Sequence, residues 1–388
     1  MTASPLATPL QRARALAPAL QAASDEIERT RRIPQPLLGQ LHDANLFRLL
    51  LPKSYGGEAV DPWVYFDAVA EVARHDGSVA WNLFVGNSSA QLAAYLEPEA
   101  ARAIYAEPTS LVAWGPPNGT RLKQVPGGYR ATGRWHYASG CRQATWMGVH
   151  DLVENEDGEL RKHPDGRPYM LTLLFPVEQA EILDTWDTIG LRGTGSDSYD
   201  LHDVFVPETF SSTREDLSLR KEPAPLYAFT WSGLYAVGVA ACATGMARGM
   251  LAALIELAKT KTPRGLSRLA ESPSLQHQIA RSEARLGSAE AFVVATLQDV
   301  RTRCGPVDAV EVPDRAAVRL ACTHAIHSAI EIADFAYKQA GIDAIYPASV
   351  FQRRFRDIHT LSQQIQSRDA HYEAVGRVLL DLAPPVFW

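Results

Sequence analysis

Apolar residues in the first hundred positions recur at helical spacing. Leu37, Leu38, Leu41 and Ala44 form one stripe, and Phe66, Val69, Ala70 and Ala73 form another, as expected where one face of a 3.6-residue turn meets a core. This pattern runs from about Leu6 to Ile104 and breaks at Pro34, at Lys53–Gly57 and at Asp76–Gly77, where Gly and Pro punctuate it. From about Ser110 to Pro207 the period changes. Gly127–Gly128 predicts a turn between LKQV and YRATGRW, and TWMGVHDLV, YMLTLLF and DLHDVFV read as short strands. Asn155–Gly158 and Pro164–Gly166 are loop signals between them. From Tyr227 the helical period returns in three segments, beginning LYAVG, SLQHQ and AAVRL, each about twenty residues or longer. The order is therefore helical, β, helical bundle: an N-terminal helical domain over 1–108, a small, mainly antiparallel β-domain over 109–222, and a C-terminal bundle over 223–388.

Composition narrows the function classes. A chain of 388 residues is long for one simple core. A formal net charge of −6 gives no electrostatic reason to expect nucleic acid or a membrane surface as partner. Cys141, Cys242, Cys304 and Cys322 share no CxxC spacing and read as buried thiols in a reducing compartment. Pro, Gln and Arg interrupt the apolar residues of the N-terminus, unlike a secretory leader. The longest apolar-rich run, Leu234 to Gly245, is about half the ~20 residues that span a bilayer. A cytoplasmic protein is expected.

Four strings then stand out in order: PKSYGG (Pro52–Gly57), GGYRATGRWHYASGC (Gly127–Cys141), GLRGTGSDSYDLHDVFVP (Gly190–Pro207) and RRFRDIH (Arg353–His359). Together they resemble the acyl-CoA dehydrogenase superfamily, and more closely its two-component flavin monooxygenases, over essentially the whole chain. The resemblance implies a mainly α fold with a central β-domain and a C-terminal four-helix bundle. It implies reduced FMN or FAD from a separate NAD(P)H-flavin reductase, and oxygenation of a small organic substrate by way of a C4a-hydroperoxide. No GxGxxG nicotinamide fingerprint follows a strand, which fits reduction by a partner. A homo-oligomer, dimer or tetramer, is implied as well, with Val237, Ala240, Ala241 and Thr244 facing neighbouring subunits.

Site residues follow from the same strings. In GRWHYASG a strand of bulky residues ends in Ala138–Ser139–Gly140, where backbone can approach a planar ring. By resemblance, Ser139 donates a hydrogen bond near flavin N5 and Trp114 lies along the same ring edge. GLRGTGSDS lacks the Lys–Ser/Thr and the following helix of a phosphate loop; its Gly193 and Gly195 let Thr194 and Ser196 reach the cofactor or substrate mouth. Arg264, in KTPRG, is the candidate for the flavin phosphate, since guanidinium binds phosphate oxygens bidentately. Arg356 and Asp357 are expected as an ion pair orienting the last helix. The aromatics Tyr227, Phe229, Trp231 and Tyr235 open the bundle, and Phe229 and Trp231 are expected to line the substrate pocket.

What is missing bears on the chemistry. Acyl-CoA dehydrogenases need a carboxylate base, and Ile358–Arg368 contains neither Asp nor Glu; beside Arg264 stand only Pro263, Gly265 and Leu266. The phenol-hydroxylating relatives usually place a His where Gln364 stands here, and often another where Asn87, Ser88 and Ser89 stand. Amides and hydroxyls hold a substrate by hydrogen bonding but do not shuttle protons near neutral pH. Gln364, Asn87 and Ser89 are thus expected on the substrate side, with Ser139 and Gln364 as the catalytic pair. Oxygenation at nitrogen, sulfur or an electron-rich ring carbon needs no deprotonation and fits that set. His359 reads as structural. Two alternatives stay open: a dehydrogenase or oxidase of the same fold, and a catalytically silent flavin-binding homologue.

Overall fold

The computed structural model describes residues 7–116, 118–163, 166–213, 216–305 and 309–384. Leu6, the expected start of the first helical pattern, lies outside them, as do Pro164 and Asp165 of the expected Pro164–Gly166 loop.

Six helices make the N-terminal part: α1 (Pro9–Ala15), α2 (Ala17–Thr30), α3 (Gln35–Asp43), α4 (Pro62–His75), α5 (Gly77–Ala90) and α6 (Pro98–Tyr105). The break at Asp76 has a clear cause. Its carboxylate caps α5 by accepting from the Val79 amide at 2.9 Å, satisfying one of the orphan donors of a helix start. Leu37, Leu38, Leu41, Phe66, Val69 and Ala73 are buried, so the apolar stripes read from the sequence are core faces.

The β-domain comprises β1 (Val112–Gly115), β2 (Arg121–Val125), β3 (Gly128–Ala138), β4 (Trp146–Glu154), β5 (Met170–Pro176), β6 (Glu181–Leu183), β7 (Asp197–Pro207) and β8 (Ser211–Ser212). They form one sheet in the order β6-β7-β3-β2-β4-β5-β8, with β1 against β4. Most pairings are antiparallel, as expected, but β1 and β2 both run parallel to β4. Strand β1 escapes sequence reading because all four of its residues are buried, leaving no alternation to see.

Among the described residues that follow, five α-helices are formed: α7 (Trp231–Thr260), α8 (Pro273–Arg303), α9 (Val312–Ala340), α10 (Val350–Leu361) and α11 (Ala370–Leu379). Helix α7 is the centre of the molecule. A Cβ at Gly238 would stand 2.6 Å from both Phe84 of α5 and the Tyr65 hydroxyl, and one at Gly245 would stand 2.2 Å from the Ala70 carbonyl of α4. Two expectations about this helix are corrected. It is 30 residues long and apolar enough to cross a membrane, but 78% of its most apolar stretch is buried within the chain, which makes it a core helix. Val237, Ala240, Ala241 and Thr244 are completely buried inside the same subunit, so they do not face a neighbour.

Candidate active site

The end of β3 sets the first half of the site. A bulge between Trp135 and Ala138 turns the strand, with Tyr137 at φ 60° and Gly140 at φ 81°. The second value is one that glycine adopts without steric cost. Tyr137 points outward, 65% exposed, while Ser139 is buried. Ser139 Oγ accepts from Trp81 Nε1 at 3.1 Å and lies 2.7 Å from Ser196 Oγ. Ser196 Oγ lies 2.7 Å from Thr194 Oγ1, which donates to the Leu191 carbonyl at 2.8 Å.

Proton counting fixes the direction of this chain. Each hydroxyl carries one proton, and a carbonyl only accepts. The Thr194 proton is committed to Leu191, so Ser196 donates to Thr194 and Ser139 donates to Ser196. The run is therefore Trp81 to Ser139 to Ser196 to Thr194 to Leu191. In this arrangement the Ser139 proton is directed to Ser196. Leu191 has other donors, Trp186 Nε1 at 2.9 Å and the Thr194 amide at 3.1 Å. Its carbonyl can release the Thr194 hydroxyl and remain satisfied, so the chain can reverse without stranding a buried acceptor.

An aromatic wall leads away from Ser139. Trp81 meets Phe84 edge-on at 4.7 Å between ring centroids, and Phe84 meets Tyr235 at 4.9 Å. Tyr235 lies 4.7 Å from Trp231, and Trp114 stands edge-on to Trp231 at 5.3 Å. Edge-on contacts between such rings add stability beyond the area they bury. Trp231 Nε1 donates to the Ser88 carbonyl at 3.1 Å, fixing the ring against α5.

The far end of the wall is a turn. Helix α10 stops at Leu361, and Gln364 begins a short 3-10 turn over Ile365–Ser367, its side chain accepting from the Gln366 amide at 2.6 Å. Gln366 Oε1 accepts from Arg319 of α9, and the same guanidinium donates to Ser232 Oγ at 2.7 Å. His327 and the Ser367 carbonyl share a hydrogen bond of 2.9 Å. Ser232 follows Trp231 directly, so the turn is tied to the aromatic wall.

Leu191 joins the two halves. Its amide donates to Asp357 Oδ1 of α10 at 2.6 Å, while its carbonyl ends the hydroxyl chain. The approach is so close that a Cβ at Gly190 would stand 2.1 Å from the Arg356 carbonyl oxygen. Burial, helped by the Asp76 and Glu28 carboxylates and opposed by the Leu191 amide and Arg356, pushes the Asp357 carboxyl up to about 7.

Several sequence expectations change here. Asn87 is wholly buried and its amide is used on backbone: Oδ1 accepts from Leu50 N at 3.1 Å, and Nδ2 donates to the Leu46 and Leu83 carbonyls at 2.8 and 2.9 Å. Ser89 donates to the Val85 carbonyl of its own helix at 3.0 Å. Both belong to the packing of α5, where buried polar groups must find partners. Phe229 is buried and lines a small cavity with Thr230, Gly233, Val318 and Arg319. Arg356 and Asp357 do not pair with each other, because adjacent helical residues point about 100° apart; Arg356 bonds Glu28 at 2.7 Å and the Ile189 carbonyl instead. His359 pairs with Asp334 of α9 at 2.8 Å, an anchoring contact. Gln364 lies beyond the helix that carries His359, so helical phase does not relate the two.

Arg264 is exposed, in the loop after α7. That helix is 30 residues long, roughly 45 Å at 1.5 Å per residue, so Arg264 and Trp231 stand at opposite ends of it. Residues that sequence reading passed over are Arg319, Gln366 and Ser232. One signal was available: Arg319 interrupts the buried stripe of Cys322, Thr323 and Ile326 at helical spacing.

Comparison with known proteins matches this architecture. Residues 11–104 match the acyl-CoA dehydrogenase N-terminal domain family, and residues 237–368 the acyl-CoA dehydrogenase C-terminal domain family. The chain is 30% identical to an indole-3-acetate monooxygenase of Pseudomonas putida over 92% of its own length and 90% of that protein's. It is 28% identical to the oxygenase subunit HsaA of a flavin-dependent monooxygenase of Rhodococcus jostii, over 90% of this chain and 92% of that one. The crystal structure of the HsaA monooxygenase from M. tuberculosis superposes with a TM-score of 0.88 at 25% identity, covering 97% of this chain and 98% of that chain. The chain belongs to the acyl-CoA dehydrogenase superfamily, in its branch of oxygenase components of two-component flavin-dependent monooxygenases.

Proposed function

We propose that this oxygenase component, working on reduced flavin and dioxygen, oxygenates an electron-rich planar aromatic compound held along Trp81, Tyr235, Trp231 and Trp114, with the fully buried Phe84 backing Trp81 and Tyr235. The wall carries the reading. It runs from a directional hydroxyl chain at Ser139 to an amide turn at Gln364, so a ring lying along it meets hydrogen-bonding groups at both ends. Indole-3-acetate, the compound for which the Pseudomonas putida relative is named, is of this class.

The residues beside Ser139 fit a flavin. Among the described residues, the buried Asn82 Oδ1 has no hydrogen-bond donor, and a Cβ at Gly140 would stand 3.5 Å from it. A flavin ring edge offers both an N–H to such an acceptor and ring atoms that accept from a hydroxyl. The exposed face of Tyr137 is apolar surface of the kind a planar ring covers. Bound flavin supplies the activation of dioxygen and the transfer of one oxygen atom. Ser139 and Asn82 hold its ring edge, Thr194 and Ser196 set the direction of the Ser139 proton, and Trp114 and Trp231 orient the substrate. Gln364 positions the 365–367 turn and handles no proton, since an amide does not titrate near neutral pH.

A separate reductase supplies the reduced flavin in the cytoplasm, where four buried cysteines outside any disulfide are stable. A second copy of the chain covers the loop around Arg264. Leu266 is 70% exposed and Ile342 and Tyr346 about 60%, and Lys261, bound to Asp343 at 2.6 Å, ties their segments together. Large apolar side chains left exposed on neighbouring loops are the kind of surface an association site uses. The functional boundaries fall at 108/109 and 222/223, in the connections Tyr105–Val112 and Ser212–Trp231.

The test is isotopic. With a generic flavin reductase and ¹⁸O₂, an electron-rich aromatic panel that includes indole-3-acetate is expected to give product carrying one labelled oxygen. Consumption of oxygen accounted for entirely by hydrogen peroxide, with no labelled product across the panel, would end the reading.

A further inference from the structure

Arg319 is only 4% exposed, on the face of α9 that also buries Cys322, Thr323 and Ile326. A lone charge out of water is strongly disfavoured, and buried guanidinium groups are normally answered in full. Arg48, the other buried arginine among the described residues, shows how: it donates to the carbonyls of Pro108, Tyr55, Tyr105 and Glu107. The half-buried Arg354 likewise donates to the carbonyls of Gly249 and Arg74. Backbone oxygens of packed elements cannot leave, so those cations are structural.

Arg319 is held differently. Its partners are two neutral side-chain oxygens, Gln366 Oε1 and Ser232 Oγ, and no carboxylate among the described residues pairs with it. Burial lowers its pKa from the ordinary guanidinium value, the direction expected for a cation short of compensation. The small cavity beside it is lined by Phe229, Thr230, Gly233, Val310, Val318 and a second guanidinium, Arg315, which donates to the Val310 carbonyl at 2.9 Å. Its place in the fold is beside Ser232, the residue that follows Trp231 at the end of the aromatic wall away from Ser139. Gln366 rides on the short 365–367 turn, so rotating its side chain outward removes one neutral oxygen and opens a position on the guanidinium fork. A carboxylate entering there meets parallel N–H donors, the geometry in which Arg binds carboxylates bidentately.

We propose that Arg319 is a substrate-recognition residue that takes a carboxylate carried on a short arm of the aromatic substrate, with Gln366 and Ser232 holding the guanidinium until it arrives. The proposal rests on the aromatic-site reading above and adds the charge of the substrate to it. Ser232 keeps the arginine in register with Trp231, so ring and carboxylate are read as one unit.

Calorimetric titration of the full chain with flavin bound, using indole, indole-3-acetamide and indole-3-acetate, separates the two claims. The acid is expected to bind about tenfold or more tighter than the amide, as a charge-assisted hydrogen bond implies. Arg319→Gln should erase that preference while leaving indole and the amide unchanged, and Arg319→Lys should keep part of it. Equal affinity for acid and amide in the natural protein overturns the assignment of Arg319 and leaves the aromatic site standing. Acid preference that persists in Arg319→Gln overturns it too. Failure of all three probes to bind overturns both. Should the Gln variant not fold, the acid-to-amide ratio of the natural protein still decides.

Discussion

The two ends of the aromatic wall are held in opposite ways. At Ser139 every proton is assigned, and the chain from Trp81 to Leu191 leaves no hydroxyl donor over. At Arg319 the hydrogen bonds are present, but a full positive charge faces only neutral oxygens. The first end therefore controls direction, since the run keeps one sense while Thr194 donates to Leu191 and reverses only when that bond is released. The second controls charge, since a buried cation discriminates strongly between an anion and its neutral isostere. Leu191 couples the two, giving its carbonyl to the chain and its amide to Asp357 of the helix that leads into the 365–367 turn.

Breaking that coupling should have the largest effect. Gly190→Ala places a Cβ 2.1 Å from backbone, the Arg356 carbonyl oxygen, which no side-chain rotation relieves. Overpacking of this kind costs about 3 kcal/mol, a melting-point loss of roughly 4 °C in a chain of this length, and flavin affinity should fall with it. A variant that melts with the natural protein would show that the loop does not need this close seat on α10.

Asp357→Asn sharpens the same link through pH. Burial raises the Asp357 carboxyl to about 7 in the folded state, above the ~3.9 of an unfolded aspartate. The folded state thus holds the proton more tightly, and the contribution is fully present below pH ~4 and lost as pH rises through about 7. Asparagine keeps an oxygen for the Leu191 amide but does not ionise. The melting temperature of the variant relative to the natural protein should therefore climb between pH 4 and 8, by an amount on the order of 4 kcal/mol in stability. A difference that is flat across that range would remove Asp357 from the titrating groups.

Arg264 tests whether the molecule's distant end belongs to the site at all. It stands a helix length away from Trp231, so a contact with flavin held at Ser139 would have to come from a second copy. Arg264→Ala should weaken flavin binding about tenfold by loss of a charge-assisted contact, and only under conditions where light scattering reports an oligomer. Unchanged affinity for both FMN and FAD would take it out of the site.

How much of this was legible in the sequence depended on whether the signal was local. The α4 stripe is spaced at a helical period and α5 opens on a capping Asp76, so both could be read directly, and the glycines flanking Thr194 marked a close approach. Asn87 and Ser89 misled because an amide or hydroxyl in a helix looks the same whether it faces a ligand or satisfies backbone. Only the fold shows that the Asn87 amide is used on Leu46, Leu50 and Leu83. Arg319, Gln366 and Ser232 come from three separate elements, and no spacing along the chain connects them. The α7 stripe was assigned to the wrong neighbour because periodicity shows that a face is buried, not by what.

The smallest effect concerns the direction of the hydroxyl chain. In the resting chain Ser139 gives its proton to Ser196, and flavin can receive it only if the run reverses, with Thr194 leaving Leu191 to donate to Ser196 and Ser196 donating to Ser139. Ser139→Ala removes the hydroxyl outright and should weaken flavin binding by about 1 kcal/mol, roughly fivefold. Ser196→Ala removes only the competitor for that proton. Ser139 is then free to donate outward without any reversal, so flavin should bind as tightly as to the natural protein, or slightly more tightly. The double variant should match Ser139→Ala alone, because Ser196 acts on flavin only through Ser139; that equality is the coupling a double-mutant cycle reads. Equilibrium titration with oxidised and with reduced flavin measures all four proteins. If Ser196→Ala weakens binding as much as Ser139→Ala, and the two losses add, the hydroxyls act independently and the directional chain is wrong.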